Sequence, residues 1–574
     1  MPSKFPPKKW DVPQAPVGAP PLRTLLQEPL LPTVAQIVAA RGYDTPEAVA
    51  SFLTPSLRSM IDPFLLLGMG QAVERLVSAR RGQESICIYG DYDVDGITGT
   101  ALLVSFLRAI GCRCGYFIPN RFDDGYGLNS DAIERIITSG ADLIMSVDCG
   151  ITARREAELC RQRGVDLIIV DHHSPHGDIP DACAVLNPLQ PGCAYPFKSL
   201  AGVGVAFNLL IALRARLREL GELDEGTMPD LRNWLDLVAL GTIADVVPLT
   251  GQNRIYVFHG LKRLSESSRP GVTALKTVAG ISGAVTCGQV GFRLAPRLNA
   301  AGRMESAVPG VDLLLGLEAQ ETRCIAEELD AANAERQQVE HRIFTEASGM
   351  VESSGLYPDC RSIVLASPDW HQGVIGIVAS RLVERYHRPT ILIALGEDGS
   401  GKGSGRSIPG FHLLDALTDC SGHLERFGGH RYAAGLTLKS DCVDTFAKAF
   451  ESAASRLLEE YDLAPRLNID AEIQPGDLSR ELALQLKILE PFGAGNPEPV
   501  LLMREVGVIE RRLVGDGHIR LRFKKEGHTF IGIAFRMADR HVPDLIDIAF
   551  YPEMNEWNGR SNLQLRIRDL RPAE

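Results

Sequence analysis

Three carboxylates on alternate positions, Asp91, Asp93 and Asp95, close the segment Ile86-Cys-Ile-Tyr-Gly-Asp91-Tyr-Asp93-Val-Asp95-Gly96. Charges of one sign that close together are costly unless a cation neutralises them. The pattern of an apolar run ended by a carboxylate recurs in Asp142-Leu-Ile-Met-Ser-Val-Asp148-Cys-Gly150 and in Asp166-Leu-Ile-Ile-Val-Asp171-His172-His173. A further carboxylate, Asp245, sits inside the apolar stretch Gly241-Thr-Ile-Ala-Asp245-Val-Val-Pro248. It reads either as a helix-cap aspartate or as another ligand for the same cation. Asp93, Asp95, Asp148, His172 and Asp245 are enough ligands for two ions if one carboxylate bridges. Carboxylates with imidazole and no cysteine suit hard divalent cations, Mn²⁺ or Mg²⁺ rather than zinc. Two such ions activate a water and neutralise charge on a phosphoryl group and its leaving oxygen. The expected chemistry is hydrolysis of a phosphoester or phosphoanhydride.

The elements that must position these groups follow from hydrophobic patterning. Residues 86–90 read as a buried strand that exits at Gly90 and Gly96, and Ile97 to Ile110 as a helix. Strands at Cys114–Ile118, 142–147 and 166–170 alternate with helices at Ser130–Ser139 and Ala153–Arg163. That alternation predicts a parallel sheet with right-handed crossovers, whose carboxyl edge lines a crevice. The periodicity over 312–350 predicts a long spacer helix. A second α/β unit starts near 360, with strands Arg361–Ala366 and Pro389–Leu395 flanking a helix Val374–Tyr386. Five short strands after about 465 predict a small β-barrel of OB type. Arg512, Arg520, Arg522 and Lys524 cluster there beside Phe523, Phe530 and Phe535. They read as a single-strand-binding surface or as a solvated basic face over an apolar core. The segment Gly291–Arg303 carries Arg293, Arg297, Asn299 and Arg303 on no obvious helix face, and reads as a basic loop or as phosphate contacts. Gly396–Gly403 nearly spells a phosphate-binding P-loop. The hydroxyl residue after Lys402 is missing and Pro409 spoils the following helix, so a P-loop is rejected. Its glycines still allow backbone N–H groups, with Arg406, to approach a phosphate.

Bulk properties bound the rest. The 574 residues suffice for several domains, and a net charge of −12 confines any nucleic-acid site to a local basic groove. The twelve cysteines include no C-x-x-C, which argues against a zinc site or a disulfide framework and suits a reducing cytoplasm. The basic N-terminus lacks the apolar core of a secretory signal, and no apolar run is long enough to span a membrane.

The motif set resembles a known family. Asp171-His172-His173, with Asp91-Tyr-Asp93-Val-Asp95-Gly96 and Val147-Asp148-Cys-Gly150 upstream, is similar to the DHH phosphoesterase superfamily. Gly428-Gly429-His430-Arg431-Tyr-Ala-Ala-Gly435 is similar to its DHHA1 domain. The order of these motifs with Gly241–Pro248, Pro296–Arg303, Trp370–Gly373, Ser404–Ser407 and the OB-like end resembles the bacterial RecJ family. The implied division is an N-terminal arm and helical start (1–49), a DHH domain (50–310), a connecting helix (311–355), a DHHA1 domain (356–462) and an OB-like domain (463–574). The implied activity is single-stranded-DNA-specific 5′→3′ exonuclease action, releasing 5′-mononucleotides in recombination and repair with Mn²⁺ or Mg²⁺. The resemblance implies metal ligation by Asp93, Asp95, Asp148, His172 and Asp245, with Asp148 bridging. Asp91 is either a ligand or an outer group, and His173 acts beside the metals. Arg121, Arg303, Ser404 and Arg406 are the candidates for gripping a 5′-phosphate. Arg297, Asn299, His371 and His430 are candidates for the rest of the substrate. Implied partners are single-stranded DNA, single-stranded-DNA-binding protein and a RecQ-type helicase. The competing readings are an oligonucleotide phosphodiesterase of the same superfamily and a non-catalytic DNA-binding scaffold. The intact ligand set disfavours the scaffold.

Overall fold

Ser85–Gly90 forms strand β1 because Ile86 and Ile88 bury one face and Tyr89 the other, as a strand covered on both faces requires. The computed structural model describes residues 7–13, 29–120, 127–223, 226–355, 357–515, 517–557 and 560–573. Contacts divide the chain into two units, one of residues 51–335 with 490–497 and a second holding the remainder. Among the described residues, no helix is long and apolar enough to cross a membrane.

In the first unit β1 is followed by helix α1 (Val94–Ala109), β2 (Arg113–Phe117), α2 (Ser130–Thr138), β3 (Leu143–Val147), α3 (Arg154–Gln162), β4 (Asp166–Val170) and β5 (Ala184–Leu186). The sheet order is β2-β1-β3-β4-β5, and every pairing is parallel. The chain leaves β1 toward β2 on one side and returns to β3 on the other. That reversal opens a crevice beyond the carboxyl ends of β1 and β3, where parallel sheets bind ligands. β3 is buried along its whole length, as a central parallel strand requires. Helices α4 (Gly202–Glu219) and α5 (Leu235–Ala244) complete the apolar core with α1, through Leu103, Phe106, Val203, Leu210, Leu237 and Leu240. Gly291–Arg303, expected without a helix, is helical. A π turn over Val290–Leu294 runs into α6 (Ala295–Met304). The long helix α7 spans Ala319–Ser354.

The second unit holds the sheet β9-β10-β8-β7-β6, with β6 (Ile363–Ser367), helix α8 (Ile375–Tyr386), β7 (Thr390–Leu395), β8 (Ser400–Arg406), β9 (Arg426–Gly429) and β10 (Ala433–Lys439). Gly401 and Gly403 of the near-P-loop therefore lie in the central strand β8, and Gly396 and Gly399 in the turn that leads into it, with their N–H groups bonded to Ser400 and Gly396 carbonyls. The backbone groups of β8 bond to β7 on one side and β10 on the other, so they are not available as an anion cradle. Glycine is accepted there because Leu436 and Leu413 fill the space. A Cβ on Gly403 would lie 2.6 Å from Leu436 Cδ1, and one on Gly405 would lie 3.0 Å from Leu413 Cδ2.

The C-terminal strands are β11 (Leu501–Val514), β12 (His518–Lys525), β13 (His528–Ala534), β14 (Leu545–Trp557) and β15 (Arg560–Pro572). They follow the order β11-β12-β13-β15-β14, and β14 pairs back onto β11, which closes the barrel. Closure removes the unpaired edges that an open sheet would expose. Part of the N-terminal arm joins this unit. Lys9–Asp11 pairs in parallel with Arg466–Asn468, and Trp10 donates its indole N–H to Asp569 at 2.8 Å beneath the Arg571 guanidinium.

Candidate metal centre

The acidic segment after β1 turns rather than extending. Asp91 lies just past the strand and is 2% exposed. Asp93 is the N-cap of α1, its Oδ1 accepting from the backbone N–H of Asp95 at 2.9 Å and of Gly96 at 3.2 Å. Asp95 then falls in the first helical turn. Gly96 permits this fold-back, because a Cβ there would lie 2.6 Å from the Asp91 backbone N and O. The carboxylate of Asp95 meets the N-terminus of α4, accepting from Gly202 N at 2.6 Å and Val203 N at 2.9 Å. A helix N-terminus favours negative charge, which holds this buried carboxylate in place.

Asp148 follows β3 in the left-handed region, at φ 64°, with its backbone N–H tied to Val170. Asp171 follows β4, and Asp245 is the C-cap of α5. Asp245 thus sits at a helix end, and it also faces His172 and Asp95 among the candidate ligands. His172 Nε2 lies 3.1 Å from Asp148 Oδ1, 3.6 Å from Asp245 Oδ2 and 3.9 Å from Asp95 Oδ2. Three sets of candidate ligand atoms result, each with its atoms within 4.8 Å of one another. They are Asp91/Asp93/Asp148, Asp95/His172/Asp245 and Asp148/His172/His173. Asp148 belongs to two of the sets, as a bridging carboxylate would. Asp91 stands in the first set on the same footing as Asp93.

The electrostatics bear on what the cluster could hold. Burial, followed by the charges of Asp95, Asp93, Asp91 and Asp245, pushes the Asp148 carboxyl well above the ordinary range. Burial and the Asp93 charge raise Asp95 to about 7, and burial with Asp95 and Asp93 raises Asp245 to about 9. Burial lowers His172 to about 4, with His173 adding to the effect, so the imidazole is neutral. The ring bonds the backbone of Leu200, while Nε2 has no hydrogen-bond partner. Asp148 Oδ1 and Asp245 Oδ2 are likewise buried without one. Orphaned buried polar atoms are rare in folded proteins. Here two carboxylate oxygens and an imidazole lone pair converge, a donor set that fits a hard divalent cation.

Sequence reasoning missed the supports of this set. Asp171 Oδ1 accepts from the backbone N–H groups of His172 and His173 and from His173 Nδ1, while Oδ2 accepts from Ile151 N. Burial alone would raise the Asp171 carboxyl, but the His173 hydrogen bond and charge hold it below its usual value. Burial would lower His173, but Asp171 raises it instead. Gly202 admits the close approach of α4, since a Cβ there would lie 2.9 Å from Asp148 Cβ. Val246 follows Asp245 at φ 60° and is 70% exposed. A β-branched residue in that region stores about 1–2 kcal/mol of strain beside the cluster. No local pattern signals these contacts. The one visible hint for α4 is the pair of glycines in Gly202-Val-Gly204.

The predicted substrate residues separate by element. On α6, Gly302 packs against the acidic loop, where a Cβ would lie 2.8 Å from the Tyr92 carbonyl oxygen. Helical spacing puts Asn299 and Arg303 one turn apart on one side and turns Arg297 away. Arg297 pairs with Asp330 at 2.8 Å and donates to the Arg293 carbonyl at 2.6 Å. Arg121 lies outside the described residues. In the second unit, the N-terminus of α8 abuts β8, where a Cβ on Gly376 would lie 2.8 Å from Ser404 Oγ and 3.1 Å from an Arg406 guanidinium nitrogen. Arg406 donates to Ser404 Oγ at 3.2 Å. His371 Nδ1 accepts from Gly373 N just before α8, and His430 N donates to the Ala433 carbonyl. Glu346 of α7 accepts the Trp370 indole N–H at 3.0 Å, a support that the sequence did not reveal. On the barrel, Arg512, Arg520, Arg522 and Lys524 share the outer face, with Arg512 directly opposite Arg520. Phe523 points inward and is fully buried, so it is a core residue and not a stacking surface. Phe535 is 46% exposed.

Comparison with known proteins accords with this architecture. Residues 85–242 match the DHH family N-terminal domain, residues 360–456 the DHHA1 domain and residues 469–569 the RecJ OB domain. The single-stranded-DNA-specific exonuclease RecJ of Escherichia coli is 39% identical over 560 residues, covering 95% of this chain and 96% of that protein. The crystal structure of RecJ from Thermus thermophilus in complex with Mn²⁺ superposes with a TM-score of 0.83 at 33% identity, covering 99% of this chain and 80% of that one. The Mg²⁺ complex of the Thermus protein gives a TM-score of 0.78 at 32% identity, covering 99% and 79%. With these likenesses spanning nearly its whole length, the chain belongs to the RecJ family.

Proposed function

We propose that the protein is a metal-dependent, single-stranded-DNA-specific exonuclease of the cytoplasm that acts from the 5′ end and releases 5′-mononucleotides. The observation that carries this reading is the convergence of Asp148 Oδ1, His172 Nε2 and Asp245 Oδ2, all buried and without hydrogen-bond partners, beyond the carboxyl edge of the sheet. Asp91, Asp93 and Asp148 would hold one Mn²⁺ or Mg²⁺, and Asp95, His172 and Asp245 with Asp148 the other. When bound, such ions activate water and neutralise phosphoryl charge. The chain's own residues supply orientation. The α4 amides fix Asp95, and the Asp93 cap fixes the loop. Asp171 holds the His173 ring through Nδ1, and His173 is assigned to act beside the metals on a phosphate oxygen. Single-stranded-DNA-binding protein and a RecQ-type helicase are the proposed partners.

Arg406 and Ser404 are assigned to the terminal 5′-phosphate, since a guanidinium fork matches phosphate oxygens. Arg406→Ala should reduce the preference for 5′-phosphorylated over 5′-hydroxyl ends by about 10- to 100-fold, the loss of one charge-assisted contact. An unchanged ratio in competition digests of the two substrates would remove Arg406 from the end pocket. On α6 the two arginines should behave differently. Arg303→Ala should lower kcat/KM by about tenfold or more. Arg297→Ala should lower Tm instead, because it unties Asp330 and the Arg293 carbonyl. Kinetics and thermal melts on the same preparations check both.

A further inference from the structure

The π turn that precedes α6 holds a large apolar side chain out in solvent. Phe292, in the middle of Val290–Leu294, is 86% exposed, while Val290 and Leu294 at its two ends are buried. A phenylalanine in that state forgoes the stabilisation that burial would bring. Turns of this kind interrupt helices mostly at functional sites. The neighbours leave both faces of the ring open. A Cβ on Gly291 would meet nothing within 4 Å, and one on Gly288, a turn earlier, only Thr286 Oγ1 at 3.9 Å.

The ring shares a row with two residues already assigned to substrate. Steps of four, three and four residues place Phe292, Pro296, Asn299 and Arg303 along one side of the helix. Pro296, Asn299 and Arg303 keep part of their surface in solvent, while Ala295, Leu298 and Gly302 beside them are buried. The Arg303 end of the row lies at the acidic loop, because Gly302 packs against the Tyr92 carbonyl. At 1.5 Å per residue, Phe292 stands about 16 Å further along, a few nucleotides of strand at ~3.4 Å or more apiece. Between residues 281 and 303 Phe292 is the only exposed large apolar side chain, and Arg293 next to it is exposed too. A protein partner would call for a contiguous apolar patch. A single strand needs only one ring face for a base, with cations nearby for its phosphates.

We propose that Phe292 is a stacking platform for one base of the substrate strand, a few nucleotides to the 3′ side of the reacting phosphate. The side follows from the product. An enzyme that releases mononucleotides has a single nucleotide on the 5′ side of the phosphate it attacks, so a ring this far from the acidic loop meets the strand still to be cut. This rests on the exonuclease reading above and adds a residue that none of its assigned contacts uses. Every base has a face to stack, so the platform is indifferent to sequence.

The test is fluorescence anisotropy of 5′-phosphorylated oligothymidylates binding to the full-length protein in EDTA. Each strand carries one abasic position, walked through about the first ten nucleotides. Wild type should lose about 5- to 100-fold in affinity when the abasic position coincides with the stacked base. Phe292→Ala should bind the intact strand more weakly by the same factor, and that abasic position should then cost nothing further. Phe292→Trp should restore both the affinity and the positional loss. Phe292→Leu, apolar but without a π face, should restore neither. An abasic profile that is the same in wild type and Phe292→Ala, or wild-type affinity in Phe292→Leu, would overturn the platform alone. Failure of the wild-type protein to bind the intact strand would overturn the parent reading, and the platform with it.

Discussion

Asp148→Asn should abolish hydrolysis, lowering the rate by about 10³-fold or more, equivalent to ~4 kcal/mol of lost transition-state stabilisation. Asn is the informative substitution because Asp148 sits at φ 64°, a region that asparagine tolerates and alanine resists. It keeps the size and the fold while removing the charge shared by two ligand sets. Single-stranded-DNA binding should persist, since no cationic contact is touched. In chelator the variant should also be more heat-stable than wild type. Asp148 is 1% exposed and crowded by Asp95, Asp93, Asp91 and Asp245, so removing its charge relieves the metal-free cluster. A site optimised for a cation carries that cost without one. Activity near wild type would contradict the bridging role. Lower stability in chelator would contradict the repulsion argument.

Mn²⁺ should stabilise the protein strongly, and by more at high pH than at low pH. A cation that binds only the folded state, at a hundred times its Kd, contributes about 2.7 kcal/mol. The pH dependence follows from the raised carboxyls. In the metal-free fold Asp95 titrates at about 7 and Asp245 at about 9, whereas both titrate near 4 when unfolded. The folded state therefore binds more protons across that window. Its stability is greatest below the unfolded value and falls as pH rises through about 7 to 9. Bound cation replaces those protons and should flatten the decline. Melting curves in EDTA and in Mn²⁺ from pH 5 to pH 9 measure both slopes. A metal-free Tm that rises with pH would contradict the reading of the cluster.

Much of the candidate site was legible because most of its residues sit at strand ends. An apolar run that stops at a carboxylate needs only local pattern to be recognised, and Asp91–Asp95, Asp148 and His172 all follow such runs. The α6 segment was illegible for a physical reason. The π turn over Val290–Leu294 shifts the phase of its apolar positions, so no regular helical stripe reaches Arg303. Glycine's weak strand preference hid β8, which exists because Leu436 and Leu413 occupy the space its side chains leave. The amides of Gly202 and Val203 reach Asp95 across more than a hundred residues, a contact that only the fold creates. Of the two sequence readings of the barrel aromatics, Phe523 follows the apolar-core one. Strand alternation shows two faces, but the burial of β12 decides which one is the core.

The most direct test incubates single-stranded DNA, labelled at its 5′ end, with the purified protein in Mn²⁺ and resolves the products over time. Labelled mononucleotide should be the first product, EDTA should abolish its release, and the same strand annealed into a blunt duplex should survive. Early appearance of labelled internal fragments, release beginning from the 3′ end, or equal digestion in EDTA would contradict a metal-dependent exonuclease that enters at the 5′ end.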